Sequence, residues 1–313
     1  MMKMKILVTA PDYFDEETIG ALKNIGEVVC DKFTNEELLE QINDTDILII
    51  RSETKVDRTL IDRAKNLKIV ATGTRGVEHI DTDYAKQKGI KIISLSDENS
   101  NATAEHTIAL MLSLIRKVPW SFESVKSHGW ERGKFIGHEL KGKTLGLIGL
   151  GNIGKIVAKI AKSFGMNILV YDPYVDEKTV MEYGTNSKTL ENLLENSDII
   201  SVHVPLTKET AGMISYEQFK MMKKRPLLIN TARGKIIDSD ALVDALKNRL
   251  ISGAALDVLP EEPPPAHDAL IEYVKSNDNL LITPHLGGLT KEAICATGKC
   301  IVEKIKETVS SIS

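Results

Sequence analysis

Short apolar runs of four or five residues recur along the whole chain, and amphipathic stretches separate them. Lys5 to Thr9, Asp46 to Ile50, Lys68 to Ala71 and Ile90 to Ser94 form a first series. Thr144 to Ile148, Ile168 to Tyr171, Ile199 to His203, Leu227 to Asn230, Gly253 to Asp257 and Leu280 to Thr283 form a second. Runs this short and this uniformly apolar suit strands covered on both faces, and helical stretches such as Glu36 to Ile42 supply the cover. The pattern predicts an α/β chain with two doubly wound parallel sheets. Its 313 residues exceed the usual size of one hydrophobic core, so each series is expected to form its own domain.

Between the two series lies Asn101 to Lys117, helical in length, with apolar residues at 108, 110, 111, 112, 114 and 115. Asn101 is expected to cap it. A helix with so wide an apolar face must be buried, and the expectation is that it packs between domains or between subunits. Lys291 to Val309 forms one last helical stretch, expected to return to the first domain. The domains are therefore placed at 1–97, 98–284 and 285–313, the last rejoining the first.

Several function classes are excluded. The net charge is −4 with basic residues scattered along the chain, which is no footprint of a nucleic-acid binder. The longest apolar run, near Ile108 to Ile115, falls well short of the roughly 20 residues that span a bilayer. Residues Met1 to Pro11 lack a signal-peptide core. Cys30, Cys295 and Cys300 are odd in number and lack metal-ligand spacing, so they suit a reducing compartment and no metal site is expected. A cytoplasmic location follows by elimination.

The glycines Gly149, Gly151 and Gly154 form G-x-G-x-x-G directly after an apolar run and before the helical stretch Lys155 to Phe164. In that context the first permits a tight turn, the second lets a pyrophosphate approach the backbone, and the third lets helix and strand pack closely. Asp172 ends the next strand, 23 residues after Gly149, where an acid binds ribose hydroxyls. A carboxylate there repels a 2′-phosphate, and no arginine follows through Lys178. NAD is favoured over NADP.

Arg233, Glu262 and His285 each follow a predicted strand of the second series, where open α/β sheets bind ligands. Hydride transfer to or from a carbinol carbon needs a proton acceptor or donor, which suits His285 with Glu262 as its partner. Arg233 can clamp a carboxylate and polarise the adjacent oxygen. Taken singly, each reads more readily as an ordinary residue: Arg233 as a surface ion pair, Glu262 as a solvated loop acid, His285 as a capped turn residue.

Together these segments resemble the D-isomer-specific 2-hydroxy acid dehydrogenases over nearly the whole chain. The motifs that carry the likeness are Tyr171-Asp-Pro-Tyr, His203-Val-Pro-Leu-Thr, Asn230-Thr-Ala-Arg-Gly, Ala254-Ala-Leu-Asp-Val, Glu261-Glu-Pro and Pro284-His-Leu-Gly-Gly. The resemblance implies a Rossmann-type NAD domain inserted into a flavodoxin-like substrate domain, with Arg233, Glu262 and His285 as the catalytic trio. It also implies cofactor contacts at Asn152, Ile153, Asp172, Val204, Pro205, Thr231, Ala232, Asp257, Gly287 and Gly288, beside the glycine fingerprint. The glutamate argues against formate dehydrogenases, which carry glutamine there.

Within the family, Arg51-Ser-Glu-Thr-Lys-Val and Trp130-Glu-Arg-Gly-Lys-Phe are most similar to D-3-phosphoglycerate dehydrogenases. That likeness implies oxidation of D-3-phosphoglycerate to 3-phosphohydroxypyruvate in serine biosynthesis, with substrate contacts at Arg51, Ser52, Arg75, Gly76 and Arg132, Lys134 standing beside the last. One departure stands out: Thr72-Gly-Thr-Arg-Gly replaces a segment where such enzymes carry an earlier arginine and a small residue at position 75. Only 28 residues follow His285, so the resemblance is to a short form with no serine-sensing domain. A homodimer is expected by the same likeness. The alternatives are a reductase of hydroxypyruvate, glyoxylate or another 2-keto acid, and an NADH-sensing interaction protein similar to transcriptional corepressors.

Overall fold

A computed structural model describes residues 3–187 and 189–312. The chain divides into two compact units, one running through Asn99 and resuming at Gly288, the other spanning Ser100–Gly287.

The first unit is built on strands β1 (Met4–Val8), β2 (Gly26–Cys30), β3 (Ile47–Ile50), β4 (Ile69–Thr72) and β5 (Lys91–Ile93). They lie in the order β2-β1-β3-β4-β5, all parallel, which is the flavodoxin-like arrangement. Successive residues of a strand face opposite sides. Thus Ile6, Val8, Ile47 and Ile49 enter one buried cluster, while Leu7, Leu48 and Ile50 enter another. This two-sided burial is why the strands read as continuous apolar runs. The helix Lys291–Ile312 packs on the helix Glu16–Lys23 and over β4 and β5, burying Ile301, Val302 and Ile305 in the first of those clusters.

The second unit carries β6 (Thr144–Ile148), β7 (Asn167–Tyr171), β8 (Thr185–Asn186), β9 (Ile199–Val202), β10 (Leu227–Asn230), β11 (Gly253–Leu256) and β12 (Leu280–Ile282). Their order is β12-β11-β10-β9-β6-β7-β8, again all parallel. The strand order reverses between β6 and β9. The crevice at such a switch point, beyond the carboxyl ends of the strands, is where doubly wound sheets take their ligands.

One expectation about the linking helix is corrected. It spans Ser100–Ile115, so Asn101 lies inside the first turn and does not cap it, its amide bonding Glu105 Oε1 instead at 2.8 Å. Its apolar face is spent within its own unit: it packs on the helix Asn152–Ser163 and on β10 and β11, with Ile108, Met111 and Leu114 buried. The apolar side chains left exposed follow it: Val118, Phe122 and Val125 on the helix Val118–Lys126, then Trp130 and Ile136. Neither that helix nor β2 was expected from the sequence, because Gly26-Glu-Val-Val-Cys mixes polar and apolar residues at a sheet edge.

Candidate active site

The turn after β6 is shaped by glycine. Gly149 adopts φ +98, and a Cβ there would lie 2.9 Å from the carbonyl carbon of His203. At Gly154 a Cβ would lie 2.4 Å from Gly149 O, so only glycine lets the helix start press against the turn. Beyond Gly151 the space is open. The helix Asn152–Ser163 begins there with no side-chain cap, whereas Asp15, Asp57, Asp238 and Asp268 each cap theirs. An uncapped twelve-residue helix facing open space presents N–H groups and a partial positive charge to a phosphate. Asp172, at the end of β7, accepts from Leu150 N at 2.8 Å and Tyr174 N at 2.9 Å, which fixes its carboxylate beside the turn. These features fit a dinucleotide with free ribose hydroxyls. Val204 and Pro205 follow β9 across the switch point, and Ile153 opens the helix.

His203 packs behind the turn, its Nε2 2.9 Å from Ser201 Oγ, and burial pushes its pKa down to about 4. The imidazole is therefore neutral in the folded state at pH 7.

Arg233, Glu262 and His285 follow β10, β11 and β12 in turn. Asn230, buried at the end of β10, shapes the first loop: its Oδ1 accepts from Ala232 N at 3.0 Å and its Nδ2 donates to Arg233 O at 3.0 Å. Arg233 Nη1 donates to Ala232 O at 2.7 Å. The Thr231 hydroxyl is bonded to Thr107 Oγ1 at 2.8 Å. Gly234 then passes so close to the next loop that a Cβ would sit 2.0 Å from the carbonyl carbon of Leu259. That approach joins the loop of Arg233 to the loop of Glu262.

Glu262 and His285 meet directly. Glu262 Oε1 accepts from Leu259 N at 2.9 Å, and Oε2 lies 2.5 Å from His285 Nδ1. Nδ1–H is then the donor, and Nε2 is left as the proton acceptor; both side chains stay partly exposed. His285 is held at φ +57, a left-handed conformation uncommon for a residue with a side chain. Its N–H donates to Asp257 O at 2.9 Å.

Asp257 is the buried hub of this region. Its carboxylate accepts from Thr283 Oγ1 at 2.6 Å, Leu286 N at 2.8 Å and Gly287 N at 2.8 Å. Burial alone would raise its pKa, but these bonds and His106 outweigh burial and lower it, so it stays ionised. An ionised carboxylate only accepts, so His106 Nε2, 3.1 Å from Asp257 Oδ1 and 3.2 Å from Thr283 Oγ1, carries a hydrogen. His106 was missed by the sequence reading. Its signal was a histidine just before the apolar half of the helix, beside Thr103 and Thr107, which are buried.

The residues expected at a substrate are divided between the units. Arg51 and Ser52 follow β3, and Arg75 and Gly76 follow β4, all at carboxyl ends of the first sheet. Arg51 stacks on Tyr13 at 4.5 Å, its buried Nε has no hydrogen-bond partner among the described residues, and burial lowers its pKa. Thr72 is fully buried and bonded to Thr74 Oγ1 at 2.7 Å and His79 Nε2 at 3.1 Å, an environment with no room for an arginine. Arg75 is exposed, and Thr74 Oγ1 donates to Gly76 O at 2.7 Å. Arg132 and Lys134 lie in the second unit on the exposed turn Arg132–Phe135, where Lys134 pairs with Glu131. Gly287 closes the second unit and Gly288 opens the last segment of the first.

Comparison with known proteins agrees with this geometry. Residues 108–287 match the family model for the NAD binding domain of D-isomer specific 2-hydroxyacid dehydrogenases. The chain is 44% identical over 308 residues to D-3-phosphoglycerate dehydrogenase of Methanocaldococcus jannaschii, covering 98% of this chain and 57% of that protein. It thus spans little more than half the length of such relatives. It is 40% identical over 308 residues to hydroxypyruvate reductase of Thermotoga maritima, covering 97% of this chain and 98% of that one. Among solved structures, D-lactate dehydrogenase of Aquifex aeolicus, complexed with NAD and lactic acid, superposes with a TM-score of 0.87 at 31% identity, covering 98% of this chain and 96% of that one.

His203, largely desolvated, gives a pH test. Its folded-state pKa lies below the ordinary 6.5, so between about 4 and 6.5 the unfolded chain binds more protons. Stability from this source is complete above pH 6.5 and falls by up to about 3 kcal/mol as pH drops toward 4. Both tryptophans, Trp120 and Trp130, lie in the second unit, so urea unfolding followed by their fluorescence reports on it. His203→Gln should flatten the pH dependence in that window, and an unchanged slope would refute the assignment.

Proposed function

This chain belongs to the D-isomer specific 2-hydroxyacid dehydrogenase family, and on that footing we propose that it transfers a hydride between NAD and C2 of a D-2-hydroxy acid. The observation that carries the reading is the hydrogen-bonded Glu262–His285 pair on loops of the NAD-binding unit. When bound, NAD supplies the hydride acceptor. The glycine turn, the uncapped helix and Asp172 hold it, and the Asp172 carboxylate favours NAD over NADP. His285 Nε2 takes the proton from the C2 hydroxyl as the hydride leaves C2. Glu262 keeps the imidazole in the required tautomer and stabilises the imidazolium that forms. Arg233 clamps the substrate carboxylate and stabilises charge on the C2 oxygen.

As substrate we propose D-3-phosphoglycerate, oxidised to 3-phosphohydroxypyruvate in the first committed steps toward serine, in the cytoplasm. Support comes from Arg51. A half-buried arginine whose buried Nε has no hydrogen-bond partner among the described residues calls for an anion, and its planar fork suits phosphate. Ser52, Arg75, Gly76 and Arg132 are assigned as the remaining substrate contacts. Three free cysteines fit a reducing compartment. A second reading, reduction of hydroxypyruvate, is favoured by the near full-length match to the Thermotoga protein. We further propose a homodimer formed through residues 118–136, since the apolar face there is exposed on the single chain.

Three measurements test these proposals. In Glu262→Gln the amide oxygen can serve only one of Leu259 N and His285 Nδ1–H, so either the loop bond or the tautomer that leaves Nε2 free is lost; kcat should fall roughly 10²-fold with NADH affinity kept, and an undiminished kcat would refute the pairing. D-3-phosphoglycerate should exceed D-glycerate in kcat/KM, and Arg51→Ala should remove roughly 2–4 kcal/mol of that advantage. Equal turnover of both acids would favour the hydroxypyruvate reductase reading. Light scattering should give a dimer that Phe122→Glu with Trp130→Glu converts to a monomer; a monomeric parent chain would refute the interface.

A further inference from the structure

The strands β10, β11 and β12 carry the catalytic loops at their carboxyl ends. Their amino ends frame a second cleft of about 670 Å³, wholly within the second unit. Its rim holds three cations, Arg225, Lys247 and Arg249, against a single carboxylate, Asp278. Its floor is apolar, formed by Leu246, Ile251 and the buried ring of Tyr273. Strands of four residues place this cleft about 13 Å from the carboxyl ends, at the opposite side of the sheet from the cofactor turn.

The cations here are unlike their neighbours. Lys223 and Lys224 pair with Glu195 at 2.7 Å and Asp198 at 3.4 Å. Among the described residues, Arg225, Lys247 and Arg249 make no ion pair. Two of them also stand where the backbone is least suited to a side chain: Arg225 has φ +50 and Arg249 φ +56. Glycine adopts that conformation freely and arginine does so at a cost. The strain is held in place locally, since Ser252 Oγ donates to Arg225 O at 2.6 Å and Ser252 N to Pro226 O at 3.0 Å.

Side-chain amides already serve a carbonyl at each adjacent helix end, Asn248 Nδ2 donating to Asp244 O at 3.0 Å and Asn277 Nδ2 to Tyr273 O at 2.7 Å, and of the three cations only Lys247 stands in a last helical turn. What remains is a cleft of ligand size with an apolar floor, two guanidinium forks and one ammonium on its rim, and the hydroxyl of Ser276 in its lining. We propose that this cleft is a second binding site, for a small molecule that carries a phosphate or diphosphate group. The apolar floor takes the body of the ligand, and the arginines take its phosphate oxygens bidentately.

The test is calorimetric titration of the whole chain with inorganic pyrophosphate, the cofactor turn being filled by saturating NADH and the other anion contact removed by Arg51→Ala. One pyrophosphate should bind per chain. Arg225→Gly with Arg249→Gly should weaken it at least tenfold, leave NADH affinity unchanged, and leave the melting temperature unchanged or higher, because glycine relieves both left-handed positions. Lys247→Glu, on an exposed helix position, should weaken binding likewise should the double variant fold poorly. The proposal is overturned by absent binding at millimolar pyrophosphate, by equal affinity in the variants, by citrate binding as tightly as pyrophosphate, or by a melting temperature that drops in the double glycine variant.

Discussion

The candidate site depends on one buried carboxylate. Asp257 directly follows β11 and is almost inaccessible to solvent, yet it remains ionised because four donors converge on it: Thr283, His106 and the backbone amides of Leu286 and Gly287. Charge-assisted bonds of this kind are about twice as strong as neutral ones, and an unpaired charge at this depth would cost several kcal/mol. The donors cannot leave singly. The loop after β12 is therefore pinned to the end of β11, and His285, whose own N–H bonds the Asp257 carbonyl, is held in its left-handed conformation as part of the same unit.

Around that anchor, close backbone contact does the remaining positioning. Gly234 lets the Arg233 loop lie against Leu259 and Pro260, three residues before Glu262, with no space for even one methyl group. Glu262 turns back to bond Leu259 N and so presents its other oxygen to His285. Three side chains from three separate strands are thus fixed by contacts among their loops, and a parallel sheet with all its carboxyl ends on one side is what makes those loops neighbours. The same sheet leaves its amino ends free to build a cleft of opposite character.

Much of this was legible in the chain. Continuous apolar runs such as Ile47-Leu-Ile-Ile mark strands buried on both faces, since a solvent-facing strand would alternate. The fingerprint Gly149, Gly151 and Gly154 stood out because two of its requirements are local, the positive φ of Gly149 and the close approach of Gly154 to Gly149 O. Caps were less secure. Asn101 has the right residue type, but the helix starts at Ser100, one position earlier, and propensity alone cannot fix an end to a single residue.

What the sequence by itself determined is the class of fold, the turn that receives a dinucleotide and the residue types available for acid-base chemistry, because strand pattern and turn chemistry act over a few neighbouring residues. Tertiary structure decided which distant residues meet. That Asp257 gathers His106 from 151 positions away, that the linking helix packs its apolar face on its own sheet, and that Arg225 and Arg249 line one cleft with no ion pair among the described residues all follow from packing. A histidine, an aspartate or an arginine has the same local preferences wherever it stands; its partners are set by the sheet order, which brings the ends of nonconsecutive segments side by side.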